Sequence, residues 1–226
     1  MDIKLNYIEK GTGEPLILLH GNGENYEYFT HQLEYFPKKY HVIALDTRGH
    51  GKSERGSKPF TIRQFADDLY DFMNEKGIEK AHILGFSDGG NIAMCFALKY
   101  PEKVNRLILN GANLNGNGVK AHIQLPIIFG FTAAGIFRHK NPKALKNYEM
   151  LGLMVNDPNV KKEELHKLKM PVLVIAGSKD MIKTSHTRLI AQSIPDSRLI
   201  LMNGDHFIAN KMHEEFNAHV EGFLNK

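Results

Sequence analysis

The chain has 226 residues, of which 42% are hydrophobic and 24% charged, and its formal net charge is +4. That is enough for one domain with a sizeable core, 1–226, and the cations read as spread along the chain, with no basic block or aromatic-basic motif of a nucleic-acid binder. The single cysteine, Cys95, excludes an internal disulfide and fits a reducing compartment.

Residues 1–7 alternate polar and apolar, which predicts a strand over 3–7, and they lack the long apolar core of a signal peptide. The expected location is cytoplasmic. Next, Leu16-Ile17-Leu18-Leu19-His20 reads as a buried strand opening into the glycine-rich loop Gly21-Asn22-Gly23. A strand over 42–45 leads into Asp46-Thr47-Arg48-Gly49-His50-Gly51-Lys52-Ser53, where Asp46 and Arg48 read as a structural pair bracing the turn. A phosphate loop ending in Gly51-Lys52-Ser53 would need its first glycine at position 46, which is aspartate, so nucleotide binding is excluded there.

The spacing of Ile62, Phe65, Ala66, Leu69, Phe72 and Met73 predicts an amphipathic helix over 62–76. Thr61 with Gln64 forms a capping-box pattern, and Phe60 with Phe65 a hydrophobic staple. A strand over 82–86 then runs directly into Gly85-Phe86-Ser87-Asp88-Gly89-Gly90 and a helical segment. Such a turn lifts a serine hydroxyl above a helix N-terminus, and glycines two positions either side remove the Cβ atoms that would block it.

A strand over 106–109 ends in Asn110-Gly111-Ala112-Asn113, which holds no carboxylate. The polar stretch 113–118 reads as a flexible linker. Gly116, Gly118 and Ala121 match a dinucleotide fingerprint on paper, but Pro126 should interrupt the helix and no acid follows about 20 positions on. The uncharged apolar stretch 123–137 is too short to span a bilayer. Two helices are expected beyond it, one capped by Asn141 before Pro142 and one by Asp157 before Pro158. A strand over 172–176 has a trailing loop that ends in Asp180. A strand over 199–202 precedes Gly204-Asp205-His206 and a closing helix over 210–224.

An alcohol, a carboxylate and an imidazole thus follow successive strands in the order Ser87, Asp180, His206. That order resembles the α/β-hydrolase superfamily, over nearly the whole chain except roughly 116–168. The resemblance implies an α/β-hydrolase fold with a mostly parallel sheet. About seven strands are expected, because the chain starts too late for the family's first one. It implies Ser87 as nucleophile, His206 as base and Asp180 as its orienting acid, with the backbone N–H groups of Asp88 and Asn22 as the oxyanion hole and Gly23 as a rival donor. Asp205 is too close to His206 along an extended loop to orient it, and His20 and His50 read as structural. Segment 114–168 would be a small helical cap, acting as a lid over an acyl pocket or simply packing on the main domain. Phe86, Ile128, Phe129 and Asp88 are candidate substrate contacts.

A Gly-x-Ser-Asp-Gly-Gly motif also resembles valacyclovirase-like hydrolases, where the aspartate meets a substrate ammonium; otherwise Asp88 is a carboxylate tied to its surroundings. The implied reaction is cleavage of a carboxylic ester through an acyl-enzyme, without metal or cofactor. The expected partner is a small ester-type substrate, with no nucleic acid and no membrane. The same residues also serve lactonases, thioesterases, amide and C–C bond hydrolases and perhydrolases, and a ligand sensor can keep them without turnover.

Overall fold

Apolar, β-branched runs form the sheet of this protein, described over residues 2–226 by a computed structural model. The strands are β1 (Tyr7–Lys10), β2 (Glu14–Leu19), β3 (Tyr40–Leu45), β4 (Ala81–Phe86), β5 (Val104–Asn110), β6 (Val172–Gly177) and β7 (Ser197–Met202). The helices are α1 (Gln32–Tyr35), α2 (Ile62–Glu75), α3 (Asp88–Lys99), α4 (Ala121–Phe137), α5 (Pro142–Asn156), α6 (Thr184–Ser193), α7 (Ile208–Lys211) and α8 (His213–Leu224).

The sheet runs β1-β3-β2-β4-β5-β6-β7, with β1 antiparallel to β3 and every other pairing parallel. Side chains alternate along each strand, so the sheet feeds two cores. Ile17, Leu19, Ile43, Ile83 and Leu107 pack with α2, α3 and Ile190 of α6. Leu16, Leu18, Val42, Leu84 and Ile108 pack with Phe29, Leu33, Phe216 and Val220 on the other face. Winding proceeds from β2 to β3 on one side and to β4 on the other. The crevice at the carboxyl ends of β2 and β4 is therefore the topological switch point, where sites on such sheets lie.

Helix α2 starts as its sequence dictates: Thr61 accepts from the N–H of Gln64, and the Phe60 and Phe65 rings meet edge-on with centroids 4.9 Å apart. The Gln64 side chain, however, donates to Asp68 instead of closing the box.

Five expectations are corrected. Ile3 and Leu5 are buried, but the first strand begins at Tyr7, because the Ser53 hydroxyl stands between the N–H of Asn6 and the carbonyl of Asp46, accepting from the first and donating to the second, and so interrupts the ladder. Helix α4 runs through Pro126; the carbonyl that proline frees belongs to His122, an exposed residue, so water can satisfy it. Asp157 closes α5 as its C-cap, its N–H donating to the carbonyl of Leu153, and no helix starts there; residues Lys162–Lys167 form a 3-10 helix instead. Residues Gly116–Gly118 form a 3-10 turn capped by Asn115, and Gly118 is buried against His186, which makes 113–118 a packed corner rather than a linker. Finally, the closing helix is broken at Met212 into α7 and α8. Among the described residues, no helix is long and apolar enough to cross a membrane.

Candidate active site

Ser87 sits between β4 and α3 with φ 53° and ψ −120°, a backbone conformation that non-glycine residues rarely adopt. Its neighbours explain how the turn is held. A Cβ on Gly85 would lie 2.1 Å from the carbonyl oxygen of Gly89, and one on Gly89 would lie 2.0 Å from that of Leu19. Both are backbone contacts that cannot yield, so the glycines are what let β4, α3 and β2 approach. The N–H of Ser87 donates to the carbonyl of Asn110 on β5 at 2.8 Å, fixing the bend.

Three chain segments converge on this serine. The Ser87 Oγ lies 3.0 Å from Nε2 of His206, which follows β7. On the far side of the imidazole, Nδ1 lies 2.6 Å from Oδ1 of Asp180, which follows β6. An ionised carboxylate can only accept, so Nδ1 carries the proton and Nε2 is free to accept from the serine hydroxyl. Asp180 is itself fixed: it is 1% exposed, and the same Oδ1 accepts from the N–H of Ile182 at 2.9 Å. The imidazole is held between the rings of Phe86 and Phe207, at centroid distances of 4.8 and 5.6 Å. As expected, Asp205 is elsewhere engaged, pairing with Lys211 and accepting from the N–H of Phe207.

Two supporting residues have no sequence signal of their own. Gly111, just past β5, has φ +63°, and a Cβ there would lie 2.8 Å from Cε1 of His206. This strand end, which lacks a carboxylate, supplies the space that the imidazole occupies. Asn91, one turn into α3, donates to Asp88 at 3.1 Å and to Asn113 at 3.1 Å, tying the helix to the loop after β5. Only the tertiary arrangement identifies either.

The glycine-rich loop after β2 is shaped by His20. Its Nδ1 donates to the carbonyl of Gly21 at 2.7 Å, and its Nε2 accepts from the N–H of Thr47 at 3.0 Å. Burial, reinforced by nearby His50, pushes the His20 pKa down to about 4, so it stays neutral and structural at neutral pH. Asn22 lies in this loop. Its side-chain amide donates to Oδ2 of Asp88 at 2.9 Å and to the carbonyl of Met150 on α5 at 2.8 Å. Asp88 occupies the first position of α3, where a helix leaves its N–H without an internal acceptor. A free N–H at that position, with the positive end of the helix dipole behind it, is chemically suited to accept a negative charge.

The Asp88 side chain is enclosed, with residue exposure of 8%, and its two oxygens accept from Asn22 and Asn91. Burial pushes its pKa up from 3.8 to about 6, against the smaller opposing pull of the two amides.

Other expected roles are redistributed. Arg48 does not pair with Asp46. It is fully buried and forms a fork onto both oxygens of Asp68, each at 2.7 Å, and a further bond to Asp2 at 2.6 Å. Asp46 instead accepts from the N–H groups of Tyr26 and Lys52 and from the Asn6 amide, each at 2.8 Å. Phe86 is 1% exposed and stacked on Tyr28 at 4.2 Å, so it braces His206 and has no open face for a ligand. Ile128 and Phe129 are 40% and 77% exposed, and Phe129 stands on the side of α4 turned away from α5. Cys95 is buried and its thiol pushed up to about 12, as suits an inert core residue. A cleft of about 310 Å³ lined by Arg63, Cys95, Lys99 and Glu164 shares no residue with this constellation. Among the described residues, no group of three or more His, Cys, Asp or Glu is arranged to hold a metal ion.

Comparison with known proteins agrees with the architecture. Residues 14–148 match the family described as alpha/beta hydrolase fold, and the chain belongs to that family. It is similar to Lipase 3 of Moraxella sp. (strain TA144), 30% identical over 88% of this chain and 74% of that protein. It is also similar to Serine hydrolase BPHL of Homo sapiens, 28% identical over 98% of this chain and 83% of that one. Among solved structures, a hydrolase from Pseudomonas aeruginosa PA01 aligns with a TM-score of 0.80 at 25% identity, covering 99% of this chain and 95% of that one.

Proposed function

We propose that this protein is a serine hydrolase that cleaves a carboxylic ester of a small to medium substrate through an acyl-enzyme. The observation that carries the reading is the Ser87–His206–Asp180 relay, with heavy-atom separations of 3.0 and 2.6 Å. A serine hydroxyl becomes an effective nucleophile when a base takes its proton during attack, and Nε2 of His206 is within reach of that proton. Asp180 holds the imidazole in the accepting tautomer and stabilises the imidazolium that forms. His206 then returns the proton to the leaving alcohol. In the second half-reaction His206 takes a proton from water, whose oxygen attacks the acyl carbon and releases Ser87.

Negative charge on the former carbonyl oxygen is met by the N–H of Asp88 and by a second N–H from the loop after β2, assigned to Asn22. Loss of one such donor costs about 3–4 kcal/mol of transition-state stabilisation in comparable sites. The similarity to a lipase and a serine hydrolase supports this class of chemistry. The reading is tested by fluorophosphonate labelling and a panel of p-nitrophenyl esters. Expected are labelling on Ser87 and sustained turnover that falls to background in Ser87→Ala. Labelling mapped to another residue would refute the site, and a single acylation without sustained release would identify a ligand sensor.

A further inference from the structure

Helix α4 carries apolar residues on every side, with only His122, Gln124 and Thr132 polar, yet part of that apolar surface is uncovered. Gln124 and Phe131 face α5, with the Gln124 amide on the carbonyl of Met154 and the Phe131 ring stacked on Tyr148 at 4.5 Å. The opposite side exposes Leu125 (63%), Phe129 (77%), Ile136 (71%) and Phe137 (59%), at spacings that place them on one continuous stripe. A helix hydrophobic on every side is normally buried, so this stripe calls for a partner.

Charge identifies it. No Asp, Glu, Lys or Arg interrupts residues 121–137, and the one histidine there, His122, is exposed near the N-terminal end. Lys120 precedes the helix, Arg138 and Lys140 follow it in the turn, and Lys143 and Lys146 lie in the first turns of α5. Within residues 114–156 these five cations face one carboxylate, Glu149, and that one is engaged by Arg55. The segment's net charge of +4 equals that of the entire chain, so the remainder balances to zero. Cations that looked dispersed along the sequence are thus a local excess in this segment, with Lys120, Arg138 and Lys140 at the two ends of α4.

We infer that the exposed face of α4, with the cationic turn at its C-terminal end, docks this protein onto the surface of an anionic lipid bilayer. The helix lies in the interface with its apolar stripe among the acyl-chain ends and its flanking lysines at the headgroups. At 17 residues it is about 25 Å long, which suits a helix lying along the surface. A second copy docking by the same face would set the lysines against their own kind, which disfavours a symmetric dimer.

The test is co-sedimentation of Ser87→Ala protein with vesicles, the substitution preventing any hydrolysis of lipid. Vesicles of phosphatidylcholine with about one third phosphatidylglycerol are expected to retain the protein, and pure phosphatidylcholine vesicles to retain far less. Adding Leu125→Gln and Ile136→Gln, both at exposed positions, should abolish retention. Adding Lys120→Gln and Lys140→Gln, one at each end of α4, should weaken it by about fivefold per charge, on the order of twenty-five-fold together. Failure to bind the anionic vesicles, or equal binding to both kinds, overturns the inference. So does a dimer in sedimentation velocity that Leu125→Gln with Ile136→Gln dissociates, since a second copy would then cover the face.

Discussion

Replacing Asp88 with asparagine separates a buried charge from the packing around it. The carboxylate is enclosed and accepts from two neutral amides, those of Asn22 and Asn91, with no cation among its hydrogen-bond partners. Its pKa rises from 3.8 to about 6 on folding, chiefly through desolvation. An acid with a raised folded pKa binds more protons in the native than in the unfolded state between those values. Its contribution to stability is therefore fully present below about pH 4 and is lost as pH rises through about 6. A shift of about two units at about 1.4 kcal/mol each amounts to about 3 kcal/mol, most of it lost between about pH 4 and pH 8.

Asparagine does not titrate, but it sets an NH2 group against one of the two amide donors, a pH-independent cost of about 1–3 kcal/mol. The stability of Asp88→Asn relative to wild type should thus climb by about 2–3 kcal/mol from about pH 4 to pH 8, whatever its offset. Urea unfolding followed by circular dichroism at constant ionic strength measures it. A flat difference would show that the carboxylate is well solvated. One that falls with pH would show a stabilising cation, and either result refutes the reasoning.

Gly111→Ala should slow both fluorophosphonate labelling and turnover, because the new Cβ would lie 2.8 Å from the His206 ring. Its positive φ adds about 1–3 kcal/mol of strain, read as a lowered melting temperature. Asn22→Ala keeps the proposed backbone donor but loses both side-chain bonds, so kcat should fall by less than the roughly 100- to 1,000-fold typical of a lost oxyanion donor. A fall as deep as that of Ser87→Ala would make the side chain itself the donor. If Asp88 meets a substrate ammonium, Asp88→Asn should lose kcat/KM on α-amino acid esters while sparing neutral esters. Equal losses on both would leave only the bracing role.

The residues that the sequence pattern singled out are those tied to local geometry. Gly85 and Gly89 mark the bend because any Cβ there meets backbone, and a constraint of that kind leaves its trace within five residues. Asp180 and His206 were legible because each directly follows a strand, and parallel strands bring their carboxyl ends to one rim. What escaped depends on contacts between distant segments. Arg48 has partners at positions 68 and 2, so its nearest carboxylate in sequence, Asp46, was the wrong expectation. Gly111 matters only because His206 arrives beside it. Pro126 was expected to break a helix; an exposed His122 carbonyl removes the penalty that expectation assumed.

Asn22 links the parts of the site that chain distance separates. One amide group bridges Asp88, at the start of the helix after Ser87, and Met150, on α5. The backbone of the same residue is the proposed second oxyanion donor. A displacement of α5 that moves the carbonyl of Met150 would therefore reach the Asn22 loop directly. Were that bond lost, the Asn22 side chain would depend on Asp88, whose acceptor strength changes as it titrates near pH 6. Cap position and the charge on Asp88 would then act on one loop, whose geometry sets how well developing negative charge is met.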